Sequence, residues 1–341
     1  SLAVLLYALL FALPAYFTWL LVNPLPRPTL NTMKPNVYKD LTALGTRLDR
    51  SPLITAFNAY PVDLKRLAQE VANHSAEYKR LDELLEQSSV IPDAMSRDVQ
   101  LIYDRRALAF ALYAKGDVAR DAGDFDIALQ SQLKTLQLVE KFSEGNFSDL
   151  SLASAIEAGG IAGIHHLVSD LDAQQCDLAI KICLDHEKSR EPAEESIRRL
   201  QQYEENYDGW WGHLLTLLND LIGEQRLSTS MYNSELQRSQ AILSLLVTEL
   251  AIRKYQLTYN ALPETLNQLV PGILSEVPLD PFDPEGKTLK YKRTNDGYIL
   301  YSVSRDGVDN GGVPPTGSDS QWWYEDSGDL RLDHYFAEPE P

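Results

Sequence analysis

The sequence predicts a mainly α-helical protein with an N-terminal transmembrane helix, an all-α domain of helical hairpins and a small C-terminal α+β domain. Residues 1–22 carry no charged side chain, and from residue 37 to about 259 apolar residues recur at spacings of three and four. Near the C-terminal end, two short runs rich in aliphatic and aromatic residues flank an Asn-Asp-Gly turn.

A chain of 341 residues can bury more than one core. Its formal charge of -18 excludes nucleic acid as a partner, because phosphate binding needs a basic face to displace condensed counterions. Anionic membrane surfaces are disfavoured on the same ground. Acid concentrates at the C-terminal end, where residues 301–341 hold nine Asp or Glu against Arg305 and Arg331. That stretch either binds cations or stays solvated.

Residues 1–22, "SLAVLLYALLFALPAYFTWLLV", would rise about 33 Å as a helix, enough for a bilayer core. Pro14 kinks such a span, and Tyr16 and Trp19 suit its interfacial end. A cleaved signal peptide is the competing reading, but its apolar region runs only about 7 to 15 residues. The prolines of "NPLPRP" stop the helix and open a linker over 23–36.

The all-α domain spans 37–230. Within it Leu64, Leu67, Val71, His74, Tyr78, Leu81 and Leu85 alternate at three and four residues, which predicts one helical seam of three heptads. Next come two helices in "LAFALYAKGDVARDAGDFDIALQSQLKTLQLVEKF", where Gly116, Gly123, Phe125 and Ala128 resemble the packing positions of one tetratricopeptide repeat. Gln132, Thr135 and Glu140 depart from that pattern, and no second copy follows at a fixed period, so a lone helical hairpin is expected. Further helices are expected over 150–170, 172–188, 191–206, 209–222 and 231–259, the last burying Leu243, Leu246, Val247 and Leu250. Cys176 and Cys183 lie about 10 Å apart along one helix, beyond disulfide reach, and read as core residues.

The chain lacks the G-x-S-x-G, P-loop, H-E-x-x-H and dinucleotide-glycine motifs. The best remaining polar cluster is Glu157, His165, His166 and Asp170, a candidate metal or acid/base site if Glu157 and His165 share a helix face; solvated or capping residues are the simpler reading. Trp210 and Trp211 are read as packing residues, with a ligand groove, a membrane-interface contact or an aromatic face for a partner helix as the alternatives.

Residues 231–324 change character. A long helix ends at Tyr259, a short helix "PETLNQLV" follows, and strands at Leu289 to Arg293 and Tyr298 to Ser302 are joined by "TNDG". The order "LPETLNQLV", "VPLDPFD", "LKYKR", "GYILYSVSRDG", "NGG" and "GSDSQWW" resembles the globular head of type II secretion major pseudopilins, also seen in membrane-anchored proteins of Planctomycetes. The likeness covers about a quarter of the chain, and an acidic tail follows over 325–341.

The resemblance implies a calcium-binding loop. Asp306 stands at the family's "DG", Asp319 at the acidic residue before the Trp, and Asp309 adds a local carboxylate. "VPPT" at 313–316 and Ser320 depart from the family, leaving a metal-free, glycine-permitted turn as the alternative. Because some 200 helical residues separate this head from the apolar N-terminal segment, pilus assembly is not implied. The expected function is a single-pass, non-catalytic scaffold or accessory subunit of a membrane or envelope assembly. Its bulk would be extracytoplasmic and its partners other membrane or envelope proteins. A secretion-system component and an envelope hydrolase or metal enzyme are the alternatives.

Overall fold

The computed structural model describes residues 36–89, 99–142, 147–192, 195, 196, 198, 227–315 and 328–337. It is mainly helical with one two-stranded sheet. Among these residues no helix is long and apolar enough to cross a membrane. The expected span 1–22, the linker up to residue 35, the helix at 209–222, Trp210, Trp211 and Asp319 all lie outside them.

Helices α1 (Tyr38–Asp49), α2 (Pro52–Phe57), α3 (Leu64–Asn73) and α4 (Ser75–Leu85) form the N-terminal part of the body. The three-heptad seam is not one helix: the backbone breaks at His74, which ends α3 and begins α4 and whose Nδ1 lies 2.8 Å from the Glu70 carbonyl. Leu67, Tyr78, Leu81 and Leu85 are buried as the spacing predicts, whereas Leu64 is left exposed at the start of α3.

Helices α5 (Val99–Asp121) and α6 (Phe125–Glu140) form the expected hairpin. Gly123 makes the turn at φ +76, a conformation open to glycine at little steric cost, and Asp124 caps α6 through the Ile127 amide. Helix α7 (Phe147–His165) packs beside them. Glycines of α5 and α7 explain the two polar residues that break the repeat pattern. A methyl group at Gly116 or Gly163 would strike Gln132, and one at Gly160 would strike Thr135. Gln132 and Thr135 therefore fill space that the glycines leave between three closely approaching helices.

Helix α8 (Ala173–Ser189) opens on a capping box made by Asp172 and Gln175, and turns Cys176, Ala179, Ile180 and Cys183 into the core. Helix α9 (Leu227–Tyr259), about 50 Å long, runs from the body into the C-terminal part. There it meets the 3-10 turn Leu266–Leu269, the strands β1 (Lys290–Thr294) and β2 (Gly297–Tyr301), and α10 (Leu332–Tyr335). The expected short helix "PETLNQLV" is reduced to that 3-10 turn, and each strand lies within one residue of its expected bounds. Thr294 and Gly297 close a two-residue antiparallel hairpin.

Two buried clusters fill the molecule. One is the N-terminal core, around Leu41, Leu44, Leu81, Leu108 and Phe142. The other joins Ile161, Ile164 and Leu171 of the body to Leu246 and Leu250 of α9 and to Leu269, Leu289, Leu330 and Leu332. This second core runs without a break from the helical body into the head. Helices α5, α6 and α7 contribute side chains to both clusters.

Candidate functional site

Glu157 sits in the middle of α7, the lone acidic residue among the small and apolar residues of 151–169. It is 1% exposed. A carboxylate removed from water needs opposite charge and hydrogen-bond donors around it, and three neighbours supply them. Arg190, at the C-terminal cap of α8, donates from Nη2 at 2.6 Å; His186, one turn earlier, places Nε2 at 3.3 Å; and the Ser239 hydroxyl of α9 donates at 2.5 Å. The other imidazole nitrogen, Nδ1, faces Glu140 of α6 at 3.4 Å. Arg190 also donates to Glu187, which accepts from Gln240 of α9. The cluster ties together α6, α7, α8 and α9.

Its electrostatics follow from this geometry. Both nitrogens of His186 face carboxylates, so the ring is held as an imidazolium. Burial alone would lower its pKa, but the hydrogen bonds to Glu140 and Glu157 and the charge of Glu157 raise it to about 9. For Glu157 burial acts upward, and the Arg190 charge with the His186 hydrogen bond outweighs it, leaving about 2. Glu140 is held below its ordinary value: burial alone would raise it, and the contact with His186 prevails. A cavity of about 170 Å³ adjoins the cluster, walled also by Leu150, Ser154, Glu191, Ser196 and Leu236.

The chemistry open to this arrangement is narrow. General acid-base catalysis wants a group titrating near neutrality, and here the central acid and the central base are driven in opposite directions. Cys183, in the core beside the cluster, has its thiol pushed up to about 12 by burial and by Glu157, so it is a poor nucleophile. The cluster works as an ionic staple across four helices.

The quartet Glu157, His165, His166 and Asp170 does not converge. Glu157 belongs to the staple, whereas His165 is bonded through Nδ1 to Glu249 of α9 at 2.7 Å. His166 lies against the His165 ring, with centroids 5.5 Å apart, and Asp170 is exposed in the turn after α7. The two glycines at 159 and 160 do not interrupt the helix, but eight residues of rise, about 12 Å, carry His165 away from Glu157. Glu140, His186, Arg190 and Ser239 escaped the sequence reading. The signal that points to them is the lone carboxylate of α7, which demands buried donors, together with the His186/Arg190 pair one turn apart near a helix C-terminus, where cations are favoured.

In the head, Asp280 of "LDPF" is 2% exposed and accepts from the Ser302 hydroxyl at 2.7 Å and from the Val303 and Phe282 amides. That contact joins "LDPF" to "YS" in this chain. In the following loop Asp306 accepts from the Val308 amide, and Asp309 from the Tyr301 hydroxyl and the Gly311 amide. The loop's buried carboxylate is Asp329, which accepts from the amides of Asn310 and Gly312. Among the described residues no three His, Cys, Asp or Glu side chains converge to hold a metal ion; Asp319, the third residue of the expected calcium loop, lies outside them. Comparison with protein-family models, curated proteins and solved structures gives no match to this chain. Fold and site together define a mainly helical protein whose body and small β-hairpin head share one core.

Proposed function

We propose that this chain is a non-catalytic, membrane-anchored scaffold or accessory subunit of a membrane or envelope assembly, with its bulk on the extracytoplasmic side. The observation that supports the reading most is the staple around Glu157. Its charges are satisfied by one another across four helices, which favours rigidity over turnover. The core shared by body and head acts in the same direction, since it holds the head at a fixed place on the body. Isolation from its native membrane in mild detergent should yield stoichiometric membrane or envelope partners that survive salt washing. Recovery of the chain alone would overturn the reading.

The secretion-related alternative is favoured by one contact, the Asp280–Ser302 bond that links two of the motifs resembling a pseudopilin head. Pilin subunits or a secretion ATPase among the co-purified proteins would select it. We also propose, from the resemblance rather than from the described geometry, that the loop takes calcium when Asp319 joins Asp306 and Asp309. Asp329 supplies the electrostatic support. Burial, and the charges of Asp309 and Asp306, hold its carboxyl above the ordinary range against the pull of the Gly312 and Asn310 amides, and a hard cation would relieve that crowding. Millimolar calcium should raise the melting temperature, by about 2.7 kcal/mol of added stability at a hundredfold excess over Kd. The rise should vanish in Asp306→Ala. An unchanged melting temperature for the native chain would rule calcium out.

A further inference from the structure

The loop after β2 sets a chemically labile pair of residues on the surface. Asn310 and Gly311 are both exposed, and Gly311 has no side chain to shield the bond between them. In such a pair the Gly311 nitrogen, once it gives up its proton, can attack Cγ of Asn310. The bond from Cγ to the side-chain nitrogen then breaks, ammonia leaves, and a five-membered succinimide remains, which water opens to aspartate or isoaspartate. Water is the one reagent consumed. The turn itself calls for this glycine, because Gly311 stands at φ +73 and its successor at φ +85, conformations that side-chain-bearing residues rarely adopt.

Both reacting groups are held apart by the loop. The Gly311 N–H donates to Oδ1 of Asp309 at 2.9 Å, and the Asn310 side chain is turned back, its Nδ2 donating to the Val308 carbonyl at 3.1 Å. Asp309 is itself fixed by the Tyr301 hydroxyl, which donates to the same oxygen at 2.9 Å. A carboxylate on that N–H opposes the attack in two ways: it stabilises the proton that must leave, and its charge disfavours the amide anion. The Gly311 amide and the Tyr301 hydroxyl hold the Asp309 carboxyl below its ordinary value, so it stays charged across the neutral and alkaline range in which the attack runs.

We propose that Asn310 is a site of spontaneous deamidation guarded by Asp309, and that its conversion releases the loop from Asp329. The release follows from the bonds around Asp329. The Asn310 and Gly312 amides both donate to Oδ2 of that residue, at 3.1 and 2.6 Å. An isoaspartate routes the main chain through the former side chain and adds a methylene between these two amides, so they no longer reach one oxygen together. Either product also adds a carboxylate to the residue whose amide Asp329 holds.

Cleavage after Arg305 and Arg331 frees the peptide 306–331, in which Asn310 is the one asparagine. The mass gain from amide to acid is followed in this peptide while the full chain is incubated at mildly alkaline pH, with fragmentation to place the change at residue 310. The native chain should convert at least about fivefold more slowly than the chain unfolded in guanidinium chloride, and Asp309→Ala, checked as folded by its melting curve, should convert about fivefold faster than native. Asp306→Ala frees the Val308 amide in the same loop but leaves Gly311 untouched, so it should keep the native rate. In the converted protein the Gly312 amide should lose its protection from hydrogen exchange. Equal rates in the native and unfolded chains would overturn the guard, as would an Asp309→Ala rate equal to the native one. So would equal acceleration in Asp306→Ala, which would mark a general loosening of the loop. No conversion in the unfolded chain would remove the site itself, and full Gly312 protection after conversion would overturn the release. Should Asp309→Ala fail to fold, Tyr301→Phe, which removes the hydroxyl that fixes Asp309, takes its place, and a rate unchanged from native overturns the guard.

Discussion

Replacing Glu157 with alanine should destabilise the protein by about 3–5 kcal/mol, because it leaves the His186 imidazolium and the Arg190 guanidinium buried without their common counter-ion. In thermal melts the loss should appear as a fall of about 4–7 °C. The triple change Glu157→Leu, His186→Leu and Arg190→Met should recover most of it, since a buried ion cluster replaced as a whole by apolar side chains is often neutral. The pH profile separates the partners. The folded value of Glu157, about 2, lies below its unfolded one, so its contribution is present above roughly pH 4.3 and is lost as pH falls toward 2. His186 is raised to about 9, so its contribution is complete below roughly pH 6.5 and is lost as pH rises through 9. Glu157→Ala should flatten both limbs. A change within about 1 kcal/mol would show that α6, α7, α8 and α9 are held by packing alone.

Periodicity made the helices legible, because burial of a helix face depends on spacing within one segment. Leu243, Leu246, Val247 and Leu250 fill the core as their spacing requires, and the hairpin turn at "TNDG" falls where its residues place it. Spacing failed where a local break was decided by the backbone: His74 continues the apolar rhythm from Leu64 to Leu85, yet it ends one helix and starts the next. It failed again where the partners were distant in the chain. Glu157 was singled out with His165, eight residues away, while its true partners come from residues 186, 190 and 239, brought together only by the packing of three helices. The departures at Gln132 and Thr135 became intelligible only beside Gly116, Gly160 and Gly163. In the acidic loop, Asp306 and Asp309 could be picked out by composition. Asp329 could not, because 17 residues separate it from the Gly312 amide it binds.

Asp329→Ala should destabilise the head by about 2–4 kcal/mol, because it removes the buried acceptor of the Asn310 and Gly312 amides. Gly312 must keep φ +85, and a side chain there would strike Ile299, so the loop has little freedom to find other acceptors. Asp309→Ala should cost less, about 1 kcal/mol, since that carboxylate is exposed and water can replace it at the Gly311 amide and the Tyr301 hydroxyl. Melting curves of the two variants therefore rank the two carboxylates as organisers of the loop, and an equal loss would show that no buried acceptor dominates. The pH response adds a second, independent reading. Glu157 has a lowered value and loses its contribution on acidification, whereas the value of Asp329 is raised, so moderate acid should favour the head through this group. Hydrogen exchange at the Gly312 amide between pH 7 and pH 4, corrected for intrinsic rate, should show protection that holds or grows. In Asp329→Asn, where no charge remains to titrate, that dependence should disappear while part of the protection is kept. Two buried carboxylates of one chain thus answer acid in opposite senses: the one in the body is surrounded by cations, and the one in the head is crowded by carboxylates.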